Sequence, residues 1–171
     1  MSAAEERVTI VDRQNRETGV VTRSEMRRLH LIHRAAYILL FNDKDGLLLQ
    51  KRTATKDIYP GRYDIAAGGV VLAGETYELS AERELREELG IEGVPLTRHF
   101  DHFYSDADNQ VWGRIFSCRH EGPFVLQEDE VASGRFLPLS VILSMMGSAE
   151  LFTPDGIEIL TRFIEQEKFA P

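Results

Sequence analysis

The sequence predicts a mixed α/β fold, an α/β/α sandwich in which a mixed β-sheet lies between helices. Strand-like segments come before and after a central amphipathic helix at about residues 77–89, and this order is typical of a sheet with helices on both faces. The 171 residues are enough for one domain with a sizeable core. We therefore expect a single domain over residues 1–171, with residues 1–30 as an N-terminal extension packed on it.

The N-terminal half of the chain alternates apolar segments with turn signals. Residues 8–12 (VTIVD) have the composition of a strand, RQNRETG that of a turn, and residues 24–31 (SEMRRLHL) that of a short helix. Ser24 is the expected cap of this helix. The run RSEMRRLH, residues 23–30, is expected to be a solvated helical face, with an anion-binding role as the less favoured alternative. The segments AAYILLFN and LLLQKR flank DKDG, which predicts a β-hairpin. The loop TATKDIYPGRYD then enters a strand at about residues 63–67.

The C-terminal half starts with the central helix, and Gly90 is expected to end it. The segments LTRHFDHFY and VWGRIFSCRH flank SDADNQ, so we expect a second hairpin there. A strand at about residues 134–137 precedes the helix LSVILSMM. The pair Thr153-Pro154 predicts the start of a last helix, because proline suits the first helical position.

Charge and composition restrict the partners of this protein. A formal net charge of -8 argues against a nucleic-acid polymer or a membrane surface as partner. A small anionic substrate stays compatible with that charge, because a bound metal reverses the local potential. Cys118 is the single cysteine, which excludes an internal disulfide and a cysteine zinc cluster. The N-terminal MSAAEERVTI lacks the pattern of a signal peptide, and AAYILLF is too short to span a bilayer, so we expect a cytoplasmic protein.

The stretch RELREELG places three carboxylates side by side on the central helix. Glu84, Glu87 and Glu88 are three or four residues apart, where like charges repel by a few tenths of a kcal/mol per pair. The opposing face is apolar and would anchor the helix. Its residues follow the i, i+4, i+8 spacing: Ala81, Leu85 and Leu89. A cation is therefore expected beside the carboxylates, and a solvated acidic face is the less favoured alternative.

The wider segment, residues 69–91 (GVVLAGETYELSAERELREELGI), matches the pattern G-x5-E-x7-R-E-U-x-E-E-x-G-U at every fixed position, with U a bulky aliphatic residue. Residue frequencies give a chance match on the order of one in 10^9 per start point. This pattern is the Nudix box, and the sequence resembles the Nudix family over most of its length. The resemblance implies a Nudix-type α/β/α sandwich.

The residue types in the box have a chemical interpretation of their own. Gly69 allows a tight loop before the helix, and Glu75 can pair with Arg83 to hold that loop. Carboxylates are hard oxygen ligands, which favours Mg²⁺ or Mn²⁺ over zinc or copper. Such a cation shares oxygens with phosphate, so a small-molecule diphosphate is the expected substrate.

The resemblance assigns roles to these positions. In the Nudix family the box helix binds the metals that drive hydrolysis of a nucleoside diphosphate linked to another group. It implies metal ligands at Glu84, Glu87 and Glu88, with Arg83 also catalytic. Gly69, Glu75 and Gly90 are expected to shape the motif, with Gly69 also near substrate. Nudix proteins often keep a further acid, as metal ligand or base, in a loop before a strand; Glu130 fits that description, and a plain loop acid fits equally well.

The segments before the box resemble the isopentenyl-diphosphate isomerase-like branch of the family. In that branch an arginine and a lysine bind the diphosphate, and these positions are Arg52 and Lys56 here. The residues that isomerisation needs are replaced by Gly68, Val70 and Gln110. Hydrolysis is therefore favoured over isomerisation, and a catalytically inactive ligand-binding module is a third alternative. The sequence leaves the substrate open, and a homodimer is one expectation for the assembly.

Overall fold

A computed structural model of the chain describes residues 2–168. Over this range the protein is a mixed α/β structure with nine strands and four α-helices. The strands are β1 (Arg7–Val11), β2 (Glu17–Thr22), β3 (His33–Phe41), β4 (Leu47–Arg52), β5 (Tyr63–Asp64), β6 (Ala67–Val70), β7 (Thr97–Ser105), β8 (Gln110–Arg119) and β9 (Val131–Leu137). The helices are α1 (Arg23–Arg28), α2 (Tyr77–Leu89), α3 (Leu139–Met145) and α4 (Pro154–Lys168).

Strand β3 is the centre of the sheet. It pairs in parallel with β8 along its whole length and antiparallel with β6, so the sheet is mixed, as predicted. Strand β7 continues the sheet beyond β8 as the second predicted hairpin. The predicted turn between β3 and β4 is also present, but these strands pair only at Phe41 and Leu47. Beyond that point β4 separates from β3 and pairs with β9 and β5.

Helices cover both faces of the sheet, which confirms the predicted sandwich. Helix α2 packs on one face, where the buried residues include Ile38, Leu85 and Phe116. Helices α3 and α4 pack on the other face, against residues such as Leu39 and Ile115. The alternation of neighbouring β3 residues between the two cores is the period-2 pattern of a strand buried on both sides.

The N-terminal segment differs from the prediction in two details. Residues 17–22 form strand β2, which pairs antiparallel with β1. The predicted turn reached Gly19, and no strand was predicted after it. Thr22, and not Ser24, caps α1: its Oγ1 accepts a 3.2 Å hydrogen bond from the N–H of Glu25. Thr22 has the extended backbone that an N-cap requires, whereas Ser24 is already helical.

The segment nevertheless packs firmly on the sheet. Val8, Ile10 and Met26 form a buried cluster with Val70 of β6. Between residues 2 and 168, no helix combines the length and apolar character needed to cross a membrane.

Candidate active site

Helix α2 is anchored as its sequence predicts. Thr76 Oγ1 accepts a 3.2 Å hydrogen bond from Leu79 N–H at the start of the helix, and Gly90 ends it in the left-handed conformation with φ +67°. Glycine adopts that conformation without a Cβ clash. Leu85 and Leu89 are fully buried against the sheet. The helix therefore has a fixed rotation about its axis, and this rotation sets the direction of its carboxylates.

Two of the three box glutamates point toward strand β6. Glu84 and Glu88 are only 8% and 5% exposed. Gly68 N–H donates a 3.1 Å hydrogen bond to Glu88 Oε2. Gly69 lies directly beneath Glu84, because a Cβ at position 69 would be 2.5 Å from Glu84 Oε1. The glycine pair thus gives both carboxylates space against the backbone of β6.

Burial makes both carboxylates costly to ionise. Burial raises the pKa of Glu84 to about 7, although Arg83 opposes the effect, and the charges of Glu130 and Glu87 add to it. Burial and the neighbouring charge of Glu84 raise the pKa of Glu88 well above its usual range. Two adjacent carboxylates in this state favour a shared proton or a bound cation.

Arg83 neutralises part of this cluster and holds the preceding loop. Its Nε and Nη2 donate to the two oxygens of Glu75 at 2.8 and 3.0 Å, in the pairing expected from the spacing. Its Nη1 donates to Glu84 Oε1 at 2.7 Å and to Glu87 Oε2 at 3.1 Å. Glu75 also accepts the N–H of Leu72. A single guanidinium therefore connects the loop to two of the box glutamates.

The third box glutamate is oriented differently. The side chain of Glu87 is 46% exposed and is held by Arg83 at the solvent side. In the part of the chain that the structure describes, no three His, Cys, Asp or Glu side chains form a group placed to hold a metal. The structure brings Glu84 and Glu88 together, whereas the shared site for all three glutamates stays a prediction.

A second loop brings Glu130 and Lys56 to the same region. Thr53 Oγ1 donates to Asp129 O at 2.9 Å and Thr53 N–H to Glu130 O at 3.1 Å, which ties the loop after β4 to the loop before β9. Lys56 Nζ forms an ion pair with Glu130 Oε2. Glu130 lies close enough to raise the pKa of both Glu84 and Glu88, and Lys56 lowers that of Glu88.

Arg52 lies on the wall of the same cavity. This cavity has a volume of about 60 Å³ and is also lined by Lys56, Gly68 and Gly69. Arg52 Nη1 donates to Asp64 Oδ2 at 3.2 Å, and Nη2 donates to Ile58 O at 3.0 Å. Its Nε is buried and has no hydrogen-bond partner within residues 2–168. The positions that sequence resemblance assigned to diphosphate binding therefore share one cavity.

Helix α1 contributes a residue to the cavity, although a solvated face was the favoured expectation for it. Arg23 lines the cavity and its side chain is 18% exposed; it donates to Glu6 and pairs with Asp57. Arg27 is equally buried and donates to Asp57 at 3.0 Å. The expectation that the α1 arginines face solvent is wrong for these two. Their i, i+4 spacing, which places both on one face, was the available signal.

Tyr37 and Asp155 also line the cavity and were not predicted from sequence. Tyr37 Oη donates a 2.6 Å hydrogen bond to Asp155 Oδ2 at the start of α4. Burial and the nearby charge of Asp64 raise the pKa of Asp155 to about 6. These residues come from three distant segments and belong to no sequence motif that would have identified them.

The three positions compared with isomerase reactive groups have structural contacts here. Gly68 has φ +139°, and a Cβ on it would lie 2.0 Å from the backbone oxygen of Ala36, so this backbone has no space for cysteine. Val70 is buried in the N-terminal cluster. Gln110 Nε2 donates to His30 O at 2.8 Å.

Comparison with known proteins agrees with this architecture. The NUDIX domain family matches residues 31–162, and the chain belongs to the Nudix family of hydrolases. It is similar to the Nudix hydrolase YfcD of Escherichia coli (strain K12), with 42% identity over 164 residues that cover 96% of this chain and 89% of that protein. The Nudix hydrolase PA4841 of Pseudomonas aeruginosa is 39% identical over 160 residues, 94% of each chain.

Solved structures share the fold at lower identity. The crystal structure of DR0079 from Deinococcus radiodurans has a TM-score of 0.79 at 23% identity, covering 92% of this chain and 98% of that one. The NUDIX domain of Shewanella oneidensis NrtR, a complex with ADP ribose, has a TM-score of 0.62 at 17% identity and covers 78% and 86%. Nudix hydrolases in general use divalent metal ions and act on small molecules.

Proposed function

We propose that this Nudix hydrolase uses Mg²⁺ or Mn²⁺ to cleave a diphosphate linkage in a small molecule, most simply a nucleoside diphosphate derivative. One observation carries the proposal. The buried pair Glu84 and Glu88 lies against Gly68 and Gly69, and these glycines line a cavity that also contains the cations of Arg52 and Lys56. A buried carboxylate pair beside a cavity that contains an arginine and a lysine matches a metal-bound diphosphate.

The donor set supports a hard divalent cation. Glu84 and Glu88 are buried carboxylates with raised pKa values, and Glu130 is close enough to contribute to both shifts. These three would hold the metal, with Glu87 approaching from the solvent side, since carboxylate oxygens suit Mg²⁺ and Mn²⁺. When bound, such a cation polarises the phosphorus, neutralises developing charge and lowers the pKa of the attacking water.

The other residues have supporting roles in this proposal. Arg83 holds Glu84 and Glu87 in position through its Nη1. Gly69 leaves space for Glu84 and lines the cavity that would take the phosphate groups. Arg52 and Lys56 bind the oxygens of the diphosphate that the cation leaves uncovered, because guanidinium forks onto phosphate and ammonium adds a point charge. Glu130 serves as a metal ligand or as the base that takes a proton from water.

Two alternative functions are less well supported. Isomerisation of isopentenyl diphosphate needs a proton-transferring group near Gly68, and a Cβ there would collide with Ala36 O. A binding module without catalysis would not need buried carboxylates beside a cationic cavity, which carry a cost in folding free energy. The sequence-based expectations of a homodimer and of a cytoplasmic location stay predictions; light scattering on the purified protein would test the first.

A substrate screen tests the proposed function. Purified protein is incubated with nucleotide sugars, dinucleotides, coenzyme A and nucleoside triphosphates, each with Mg²⁺, with Mn²⁺ and with excess chelator, and released phosphate groups are measured. We expect metal-dependent hydrolysis of at least one diphosphate. Full turnover in chelator, or no turnover of any compound with either metal, would overturn the proposal.

A further inference from the structure

The Lys56–Glu130 ion pair suggests how cation and substrate binding are linked. We infer that Lys56 is an exchangeable counter-ion, which neutralises Glu130 until a divalent cation takes that carboxylate and then moves to a substrate phosphate. The inference rests on the proposed function, because it takes Glu130 as a ligand of the cation. Beyond that function, the inference states that the cation and the diphosphate each strengthen the binding of the other through Lys56.

The two loops hold Lys56 and Glu130 together through the backbone. Strands β4 and β9 pair antiparallel up to Arg52 and Val131, and the loops that follow β4 and precede β9 are tied at Thr53. The side chain of Lys56 is only 11% exposed and that of Glu130 is 27% exposed. The paired backbone of the two loops therefore positions the Lys56 ammonium beside the acidic cluster. Only the flexible four-carbon stem of Lys56 needs to move for the ammonium to exchange partners.

The charges around the cluster make Lys56 the group that can exchange. Arg83 is fully engaged, since it binds both oxygens of Glu75 and also contacts Glu84 and Glu87. Lys56 Nζ, in contrast, donates one hydrogen bond to a side chain of the described residues, to Glu130. An ammonium has three donors. It therefore retains capacity for phosphate oxygens, and Lys56 already lines the cavity.

Exchange has a thermodynamic consequence. A cation that binds Glu130 must displace Lys56, so the ion pair opposes binding of the cation alone. A diphosphate supplies the displaced ammonium with a new anionic partner and removes that opposition. Because linkage is reciprocal, the cation favours diphosphate binding by the same factor.

Arg52 provides a matched comparison. It is also a cation on the cavity wall, four residues from Lys56, but its carboxylate partner is Asp64 and not an acid of the box cluster. Its removal weakens the same local field without releasing Glu130. A specific effect of Lys56 can thus be separated from a general change in electrostatic potential.

Binding of Mn²⁺ alone, measured by isothermal titration calorimetry, tests the inference. Lys56→Met keeps an apolar stem of similar length without the charge. We expect it to tighten Mn²⁺ binding by about tenfold, and Arg52→Met to change it by less than about threefold, because only the screened field differs. In the wild type, α,β-methylene-ADP should tighten Mn²⁺ binding, and this enhancement should be smaller in Lys56→Met.

The outcomes separate the possible failures. Unchanged or weaker Mn²⁺ binding in Lys56→Met would overturn the inference while leaving the metal-dependent hydrolase intact. Equal tightening of Mn²⁺ binding in Lys56→Met and Arg52→Met would also overturn the inference, because it would show a general change in electrostatic potential. In a Glu130→Gln background the Lys56→Met effect should disappear, and its persistence would count against exchange. Lack of Mn²⁺ binding by the wild type would overturn both proposals. If melting shows Lys56→Met unfolded, Lys56→Gln replaces it.

Discussion

Gly69 and Glu84 are matched to each other: a Cβ on Gly69 would lie 2.5 Å from Glu84 Oε1. The atom that must give way is the end of a flexible side chain, so Gly69→Ala should fold with nearly unchanged stability. The displaced carboxylate, however, can no longer lie against β6. We expect kcat/KM to fall by up to about a hundredfold, since a displacement of about 1 Å has effects of that size.

The matched control for this substitution is Gly19→Ala on strand β2. A Cβ at Gly19 has no neighbouring atom within 4 Å in the described structure, and its φ is not in the left-handed region. Its kinetics should equal those of the wild type. Full activity in Gly69→Ala, measured by steady-state kinetics on the substrate that the screen identifies, would show that the position of Glu84 is not critical.

Glu88→Gln should lower activity and raise stability, whereas most substitutions of buried residues lower stability. Burial raises the pKa of Glu88 well above its usual range, so the folded protein binds this proton more readily than the unfolded chain does. The free energy of unfolding that protonated Glu88 contributes is therefore lost as pH rises through the raised pKa. Glu88→Gln has a neutral amide at this position, so it does not undergo this loss. We expect Glu88→Gln to have a higher melting temperature than the wild type near pH 8. We expect its activity to be lower by on the order of a hundredfold or more, because even the loss of a contact that only supports a metal ligand can lower activity by up to that factor.

Chelation is the control for the Glu88 prediction. Wild-type activity should vanish in excess chelator and return with Mg²⁺ or Mn²⁺, whereas the activity of Glu88→Gln should stay on the order of a hundredfold or more below that of the wild type when metal is restored. A fully active Glu88→Gln enzyme would remove Glu88 from the metal site. A lower melting temperature near pH 8 would instead contradict the cost assigned to its buried charge.

Asp155 should give the fold a measurable pH dependence. Burial and Asp64 raise the pKa of Asp155 from the usual 3.8 to about 6. The contribution of protonated Asp155 to the free energy of unfolding is thus complete below about pH 4, and it is lost as pH rises through about 6. Asp155→Asn keeps an acceptor for Tyr37 Oη and has no charge. Its melting temperature should exceed that of the wild type at pH 7.5 and match it near pH 4.

Melting curves of both proteins between pH 4 and pH 8 test this assignment. The difference between the two melting temperatures should open over the interval from about pH 4 to about pH 6. A constant difference across the whole range would mean that Asp155 does not titrate there. A lower melting temperature at pH 7.5 would mean that its charge is favourable in the fold.

Local signals made the site helix predictable from sequence. The spacing of Ala81, Leu85 and Leu89 fixed the buried face, and the glycine at position 90 fixed the end, so the bounds of α2 agree with the structure. The same local logic gave the strands on both sides of DKDG and the start of α4 at Pro154. Each of these depends on residues within one or two turns of each other.

The missed features depend on contacts between distant segments. Strand β2 is an exposed edge strand whose polar residues lack alternation, and only its pairing with β1 makes it a strand. Arg23 belongs to the cavity because α1 packs over the loop that carries Asp57. Asp64 and Asp155 line the same cavity and lie close enough to interact, although they are far apart in the chain. Local sequence preferences do not predict these contacts between distant segments.

Gly68 should not tolerate any side chain. It has φ +139°, and a Cβ would lie 2.0 Å from Ala36 O, a backbone atom that cannot move without disturbing the β3–β6 pairing. We expect both Gly68→Ala and Gly68→Cys to lower the melting temperature strongly, in contrast to Gly69→Ala. Neither variant nor the wild type should convert isopentenyl diphosphate to dimethylallyl diphosphate. Detection of that product with pure wild-type protein would restore the isomerase alternative.

Arg52 should contribute mainly to substrate binding. Its guanidinium lies on the cavity wall, oriented by Asp64 Oδ2 at 3.2 Å and Ile58 O at 3.0 Å. Charge-assisted contacts to phosphate are worth roughly 1.5–3 kcal/mol, so Arg52→Ala should lower kcat/KM by about ten- to a hundredfold, mostly through KM. Arg52→Lys should recover only part of the loss, because a single ammonium cannot fork onto two oxygens.

Arg16→Ala is the control for this series, because its side chain is 74% exposed and pairs with Asp12 away from the cavity. Asp64→Asn supplies a second test, since it removes the partner that orients Arg52. If Asp64 acts through Arg52, its effect on KM should largely disappear in the Arg52→Ala background, as non-additivity in a double-mutant cycle. Kinetics unchanged from wild type in Arg52→Ala would make Arg52 a structural ion-pair residue, and additive effects would give Asp64 a separate role in binding.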